Sequence, residues 1–191
     1  MQPGPATVCT LVLASRVLGQ ATLYVNGSCG DDTWSGTSST CAAASGPKRT
    51  IQAGIAAAST GDLILVSGGI YLEHISFLGK GVEVRANSGL PTTIDGGGNT
   101  GVVVLFVSGE GRTAVLDGFT VTGGTPDPGP APVLVGGGVR VQSSSPTIRN
   151  CIITANRNAG AAGPATPGGG GVLVVSGSPL LENCTISQNN T

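Results

Sequence analysis

The fold class that the amino-acid sequence predicts is all-β: a right-handed, single-stranded parallel β-helix, a solenoid with three short strands per coil of about 22 residues, closed at its N-terminal end by a helix. Three observations carry this expectation. The chain repeats itself, its apolar residues alternate with period two in segments only three or four residues long, and a glycine or asparagine recurs at one corner of the repeat.

The repeat is plainest near the C-terminus. GGGVRVQSSSPTIRNCIITAN, starting at Gly136, aligns with GGGVLVVSGSPLLENCTISQN, starting at Gly169, at a constant offset of 33 residues. An earlier copy, AVLDGFTVTGG, falls in register at an offset of 32, and TIDGG precedes AVLDG by 22, so the period is read as about 22 residues, lengthened where a loop is inserted. Within one copy, Val139 and Val141 flank Arg140, Thr147 and Arg149 flank Ile148, and Cys151 and Ile153 flank Ile152. That is the alternation of three half-buried strands. Stacked copies predict inward columns: Val82, Val104, Val139 and Val172; Ile94, Leu116, Ile148 and Leu181; Phe119, Cys151 and Cys184. The corner between the second and third of these strands needs a left-handed residue, and its predicted occupants are Gly96, Gly118, Asn150 and Asn183, whose asparagines can also hydrogen-bond along the ladder.

The elements before the repeats follow from local signals. Residues 1–21 hold a short apolar run ending in Gly-Gln-Ala and read as a secretory signal, although no Lys or Arg precedes Arg16; the alternative is a buried first strand. Residues 22–49 form an N-terminal lead-in, in which Cys29 and Cys41 flank a polar loop and are expected to form a disulfide rather than remain two free thiols. Residues 50–191 are the predicted β-helix. Thr50 is placed to N-cap a helix over 50–59 with Ile51, Ile55 and Ala58 on one face, and Gly61-Asp62 ends it before the strand LILV. The chain stops inside a repeat, so a longer protein is expected.

Composition agrees with this plan and excludes some functions. The 33 glycines, 12 prolines and 3% aromatic residues favour short strands and tight turns over helices packed through large side chains. Nine basic against ten acidic residues leave no basic stripe for a phosphate backbone, so nucleic acid is not an expected partner. Nothing beyond the first segment approaches a membrane span. A secreted or cell-surface location follows from the signal and from the even number of cysteines left after its removal.

The run LYVNGSCGDDTWSG, then GPKRTIQAGIAAASTGDLILVSGGIYLEHI, then TIDGGG, VLDGFTVTGG and the GGGV copies resembles secreted bacterial β-helix repeat proteins of the pectate lyase-like superfamily, over Leu23 to Thr191. The resemblance implies the β-helix fold and a polysaccharide or cell-envelope partner. It does not fix an activity. A lyase of this fold takes a proton beside a uronate carboxylate with an Arg or Lys base and holds calcium with acidic residues. The candidate calcium ligands are Asp95 and Asp117, read as equivalent positions one coil apart, but Arg149 and Glu182 continue that column as an exposed charge ladder. Glu83, Arg85 and Arg140 are the candidates for a carbohydrate groove, on or beside the sheet of Val139, where Leu105 and Leu173 interrupt any charged row. The motifs of pectate lyases and polygalacturonases are missing.

Gly69 to Glu73 matches the Gly-x-Tyr-x-Glu of pectin methylesterases, yet Tyr71 and Glu73 read better as a structural hook, with Glu73 satisfying backbone donors. His74 is assigned to a surface turn, and Cys151 and Cys184 to buried thiols. Two inserted loops, 123–138 and 155–171, are expected to stack into one ridge. Ice binding would need Thr-x-Thr rows in coil after coil, and Thr120/Thr122 is followed by Ile152/Thr154 and Thr185/Ser187. The leading expectation is a non-catalytic glycan- or envelope-binding scaffold without a cofactor; the alternative is a lyase on acidic polysaccharide, with calcium.

Overall fold

The computed structural model describes residues 20–87, 89–99, 101–125, 137–158 and 169–190. Nearly all of the predicted signal and the middles of both predicted insertions lie outside the described residues. Strand β1 (Thr22–Val25) and helix α1 (Ile51–Ala57) lead into triplets of short strands. The first triplet is β2 (Leu63–Val66), β3 (Gly69–Leu72) and β4 (Ile75–Ser76); the second is β5 (Glu83–Ala86), β6 (Thr92–Asp95) and β7 (Val104–Phe106). The third is β8 (Val115–Asp117), β9 (Thr120–Thr122) and β10 (Val139–Val141), the fourth β11 (Thr147–Arg149), β12 (Ile152–Thr154) and β13 (Val172–Val174), and β14 (Leu180–Glu182) and β15 (Thr185–Ser187) follow.

Each member of a triplet joins a different sheet. The first sheet has the order β1-β2-β5-β8-β11-β14, the second β3-β6-β9-β12-β15 and the third β4-β7-β10-β13. Every pairing between these strands is parallel. A parallel pair needs a crossover connection, and here the crossover is made by the other two strands of the triplet. The protein is therefore mainly β, with three parallel sheets visited in one fixed order.

Alternation within the strands builds the core. Ile64, Val84, Leu116 and Ile148 point inward from the first sheet, Tyr71, Ile94, Val121 and Ile153 from the second, and Ile75, Val104 and Val139 from the third; all are buried. Phe77 and Phe106 stack beside them with ring centroids 4.3 Å apart. Burying one such aliphatic side chain contributes roughly 1.5–3 kcal/mol.

This register corrects two of the expected columns. Ile94 stacks between Tyr71 and Val121 in the second sheet, and Val84 takes its expected place beside Leu116 in the first. Ile75 occupies the position next to Val104 that was expected for Val82. The cause is the similarity of Ile94-Asp95-Gly96 to Leu116-Asp117-Gly118. Either placement keeps the aliphatic residue inward, so alternation cannot separate them, but β5 already fills the first-sheet position between β2 and β8. The Phe119, Cys151 and Cys184 column stands, since the amides of Ile152 and Thr185 donate to the carbonyls of Phe119 and Cys151.

The corner from the first to the second sheet is two residues long in the last three repeats. Gly118, Asn150 and Asn183 stand there with φ of 84°, 55° and 51°. Gly96 is not one of them: it lies past β6, at the corner from the second to the third sheet, and is glycine because a Cβ would stand 2.8 Å from the Gly123 carbonyl. Asn183 Nδ2 donates to Asn150 Oδ1 (3.4 Å), and Asn150 Nδ2 to Asp117 Oδ1 (2.8 Å), so the ladder ends on a carboxylate.

Helix α1 packs on β1, β2 and β4. The Thr50 hydroxyl accepts from the Ala53 amide, as the N-cap expectation required. The two oxygens of Glu73 accept from the amides of Ile51 (2.8 Å) and Gln52 (3.0 Å), and Asp32 accepts from the amides of Arg49 and Thr50. At the other end Lys80 Nζ donates to the carbonyls of Ile55, Ala56 and Ala58, each at 2.8 Å. One short helix is thus tied at both termini by side chains of the first repeat.

Candidate functional site

The outward faces of the three sheets differ in chemistry. On the first sheet Arg85, Asp117, Arg149 and Glu182 stand in register, with Glu83 two residues before Arg85 on the same face. Arg149 donates to Asp117 Oδ2 (2.9 Å) and to Glu83 Oε1 (2.8 Å), and Arg85 binds Glu83 and lies 3.6 Å from Asp117. The hydrogen bond from Arg149 to Asp117, with both neighbouring carboxylates, holds that guanidinium above its ordinary value. These four charges satisfy one another.

The proposed groove and metal residues do not come together. Arg140 lies on the third sheet, between Leu105 and Leu173, away from Glu83 and Arg85 on the first. Its Nη2 donates to Gln142 Oε1 (2.6 Å), and its Nε is buried without a partner. Asp95 is on the second sheet, where Oδ1 accepts from the Gly97 amide (2.7 Å), while Asp117 is on the first sheet between two arginines. The calcium pair expected from a one-coil spacing is therefore corrected, because the two aspartates belong to different sheets. Among the described residues no group of three or more His, Cys, Asp or Glu is placed to hold a metal ion.

The second sheet presents short side chains. One outward column runs Ile70, Thr93, Thr120, Ile152 and Thr185; the other runs Leu72, Asp95, Thr122, Thr154 and Ser187.

Two clefts lie at the corner from the second to the third sheet. A cleft of about 420 Å³ is lined by Ala155, Asn156, Arg157, Gln188, Asn189 and Asn190. A second of about 260 Å³ is lined by Gly98, Gly123, Gly124, Thr125, Ala155 and Arg157. They share Ala155 and Arg157 and so run across successive repeats. The floor is held by a second asparagine ladder that lies inside the chain. Asn156, fully buried, donates to the carbonyls of Val121 (3.0 Å) and Thr154 (3.1 Å) and accepts from the Gly124 amide (3.0 Å). Asn189 accepts from the Asn156 amide and donates to the Ile153 carbonyl. The signal for it was present in the sequence, since Asn156 and Asn189 recur at the 33-residue offset. The predicted insertions depart from this corner.

Other singled-out residues have structural surroundings. Tyr71 is buried, donates to the Ser67 carbonyl (2.9 Å) and accepts from the Gly27 amide (3.2 Å), and burial raises its phenol above the ordinary value. Burial also raises the Glu73 carboxyl, against the two helix amides that favour its charge. His74 is exposed and touches the Val102 carbonyl through Nδ1 (3.0 Å). Cys151 and Cys184 are free thiols, and Cys29 and Cys41 are joined by a disulfide.

Glu110 was not anticipated. It is buried at the corner from the third to the first sheet and spans three repeats, accepting from the amides of Gly79 and Ser108 and the hydroxyl of Ser144. Burial opposes its charge, but the donors of Ser108, Gly79 and Ser144 outweigh burial and hold its carboxyl below the ordinary value.

The class defined by this geometry is a mainly β protein of stacked three-strand repeats, with a self-neutralised charged face, a hydroxyl face and a cleft at one corner. No family model, curated protein or solved structure matches the chain. No helix among the described residues is long and apolar enough to cross a membrane.

Proposed function

We propose that the chain is a right-handed parallel β-helix of the pectate lyase-like kind, secreted or displayed at a cell surface, that acts as a non-catalytic scaffold for a polysaccharide or envelope glycan. The observation that carries the binding reading is the pair of adjoining clefts at the corner between the second and third sheets. Their walls offer Asn, Gln and Thr side chains together with glycine backbone, a mixture of donors and acceptors suited to sugar hydroxyls, and Arg157 supplies a cation for an acidic sugar. The Cys29–Cys41 disulfide supports an oxidising compartment. The self-neutralised ion pairs on the first sheet and the separation of Asp95 from Asp117 weigh against a calcium-assisted lyase built from those residues.

Affinity electrophoresis through gels containing polygalacturonate, alginate or neutral glucans tests this reading. The protein is expected to be retarded by at least one of them, and Arg157→Ala and Gln188→Ala to relieve the retardation while the circular dichroism spectrum stays unchanged. Unretarded migration in every gel would overturn it. Growth of unsaturated-uronate absorbance on incubation would replace the scaffold by a lyase.

A further inference from the structure

We infer that the outward face of the second sheet is an adsorption surface for ordered water at an ice crystal, a site separate from the corner clefts. Three observations combine here.

The first is register. Equivalent residues on this face repeat strand after strand through β3, β6, β9, β12 and β15, so their side chains form a grid of about 4.8 Å between strands and about 6.6 Å along them. The row Thr93/Asp95 belongs to this grid directly beside Thr120/Thr122, a placement that the local likeness of TIDG to VLDG obscures; Thr120/Thr122 is the one Thr-x-Thr row among the described residues, and the hydroxyls of the other rows run down the two columns instead of pairing in every coil.

The second is what the hydroxyls do. Several Ser and Thr side chains on other parts of the molecule are bonded to the protein: Thr50 to Asp32, Thr125 to the Asn99 carbonyl, Ser144 to Glu110 and Thr147 to the Arg112 carbonyl. On this face the hydroxyls of Thr93, Thr120, Thr122, Thr154, Thr185 and Ser187 make no side-chain hydrogen bond to a described residue, so their donors and acceptors are left to the surroundings. The one carboxylate, Asp95, is turned onto the Gly97 amide.

The third is the apolar component. Ile70 is 72% exposed, Leu72 73% and Ile152 47%, within the same columns as the threonines. The two columns carry methyl groups and hydroxyls in a regular register, with no aromatic ring on which a sugar could stack. A complement that is itself periodic matches such a register. Ordered water meets that requirement: lattice oxygens pair with the hydroxyls, and cage-like water packs over the methyl groups. The grid is comparable to the oxygen repeats on the prism faces of hexagonal ice, and with no basic side chain in the two columns no salt-dependent partner is favoured.

The test is ice-affinity partition together with thermal hysteresis on the full chain. Wild-type protein is expected to concentrate in the ice fraction and to hold seed crystals without growth over a measurable temperature gap. Thr120→Tyr and Thr122→Tyr, both at outward positions, are expected to narrow that gap several-fold, whereas Leu105→Lys on the third sheet leaves it unchanged; circular dichroism checks that each variant is folded. Wild-type protein left in the liquid like an inert control would overturn the inference, as would full activity in both tyrosine variants. Retention on crystalline cellulose or chitin without any effect on ice would reassign the face to an ordered polysaccharide and overturn it too.

Discussion

The corner between the first and second sheets and the corner between the second and third solve the same problem by different means. At the first, two residues turn the chain, and the turn is held by backbone conformation: Gly118, Asn150 and Asn183 stand in the left-handed region, where β-branched residues are strongly disfavoured. At the second, connections of different length must leave and return at the same place, and no single backbone conformation can do that. The fixing is done from inside by Asn156 and Asn189, whose amides tie three successive repeats to one another. A tight corner is encoded in φ, a variable corner in buried hydrogen bonds. The clefts occur at the second kind.

Substitutions separate the two mechanisms. Asn156→Ala strips partners from several buried backbone groups at once, and with about 1–3 kcal/mol for each buried polar group left unsatisfied we expect a loss of about 3 kcal/mol in urea unfolding. If it unfolds like wild type, the buried ladder does not hold the variable corner. Asn150→Val is expected to cost about 1–2 kcal/mol, and Asn150→Gly much less, because glycine keeps the left-handed conformation and loses only the amide contacts to Asp117 and Asn183. Equal losses for Val and Gly would mean that the side chain, not φ, fixes the tight corner.

The third corner offers a pH-dependent contrast. The folded-state value of the Glu110 carboxyl is depressed, so its stabilisation is present above the ordinary carboxylate range and is lost as pH falls through the lower folded value. Glu110→Gln is expected to be less stable than wild type by about 1 kcal/mol at neutral pH, with the gap closing on acidification below about pH 4. A gap that widens in acid would reverse the assignment.

Much of this was legible in the sequence, and the failures share a cause. The 33-residue copies placed β10 to β15 and their inward residues, and the Gly or Asn requirement placed three of four left-handed residues. Thr50 at the helix N-terminus was readable from spacing, because capping is local, whereas Glu73 was read only as satisfying nearby backbone donors, and its partners Ile51 and Gln52 lie 22 and 21 residues away. The error was one of register: Ile94-Asp95-Gly96 looks like Leu116-Asp117-Gly118, and the misplacement brought Asp95 beside Asp117, set Glu83 and Arg85 on the sheet of Arg140, and hid Thr93/Asp95 from the threonine rows. Only the identity of the strands on either side decides it, and that is a long-range fact. Lys80 on the helix C-terminus and Glu110 across three repeats were invisible for the same reason, since their partners lie in other repeats.

Register is thus the central claim, and nuclear Overhauser contacts on isotope-labelled protein test it most directly. The stacking described here predicts backbone contacts from Ile94 to Tyr71 on one side and to Val121 on the other. Contacts from Ile94 to Val84 or Leu116 would contradict it, returning β6 to the first sheet and undoing both the three-sheet order and the hydroxyl face built on it.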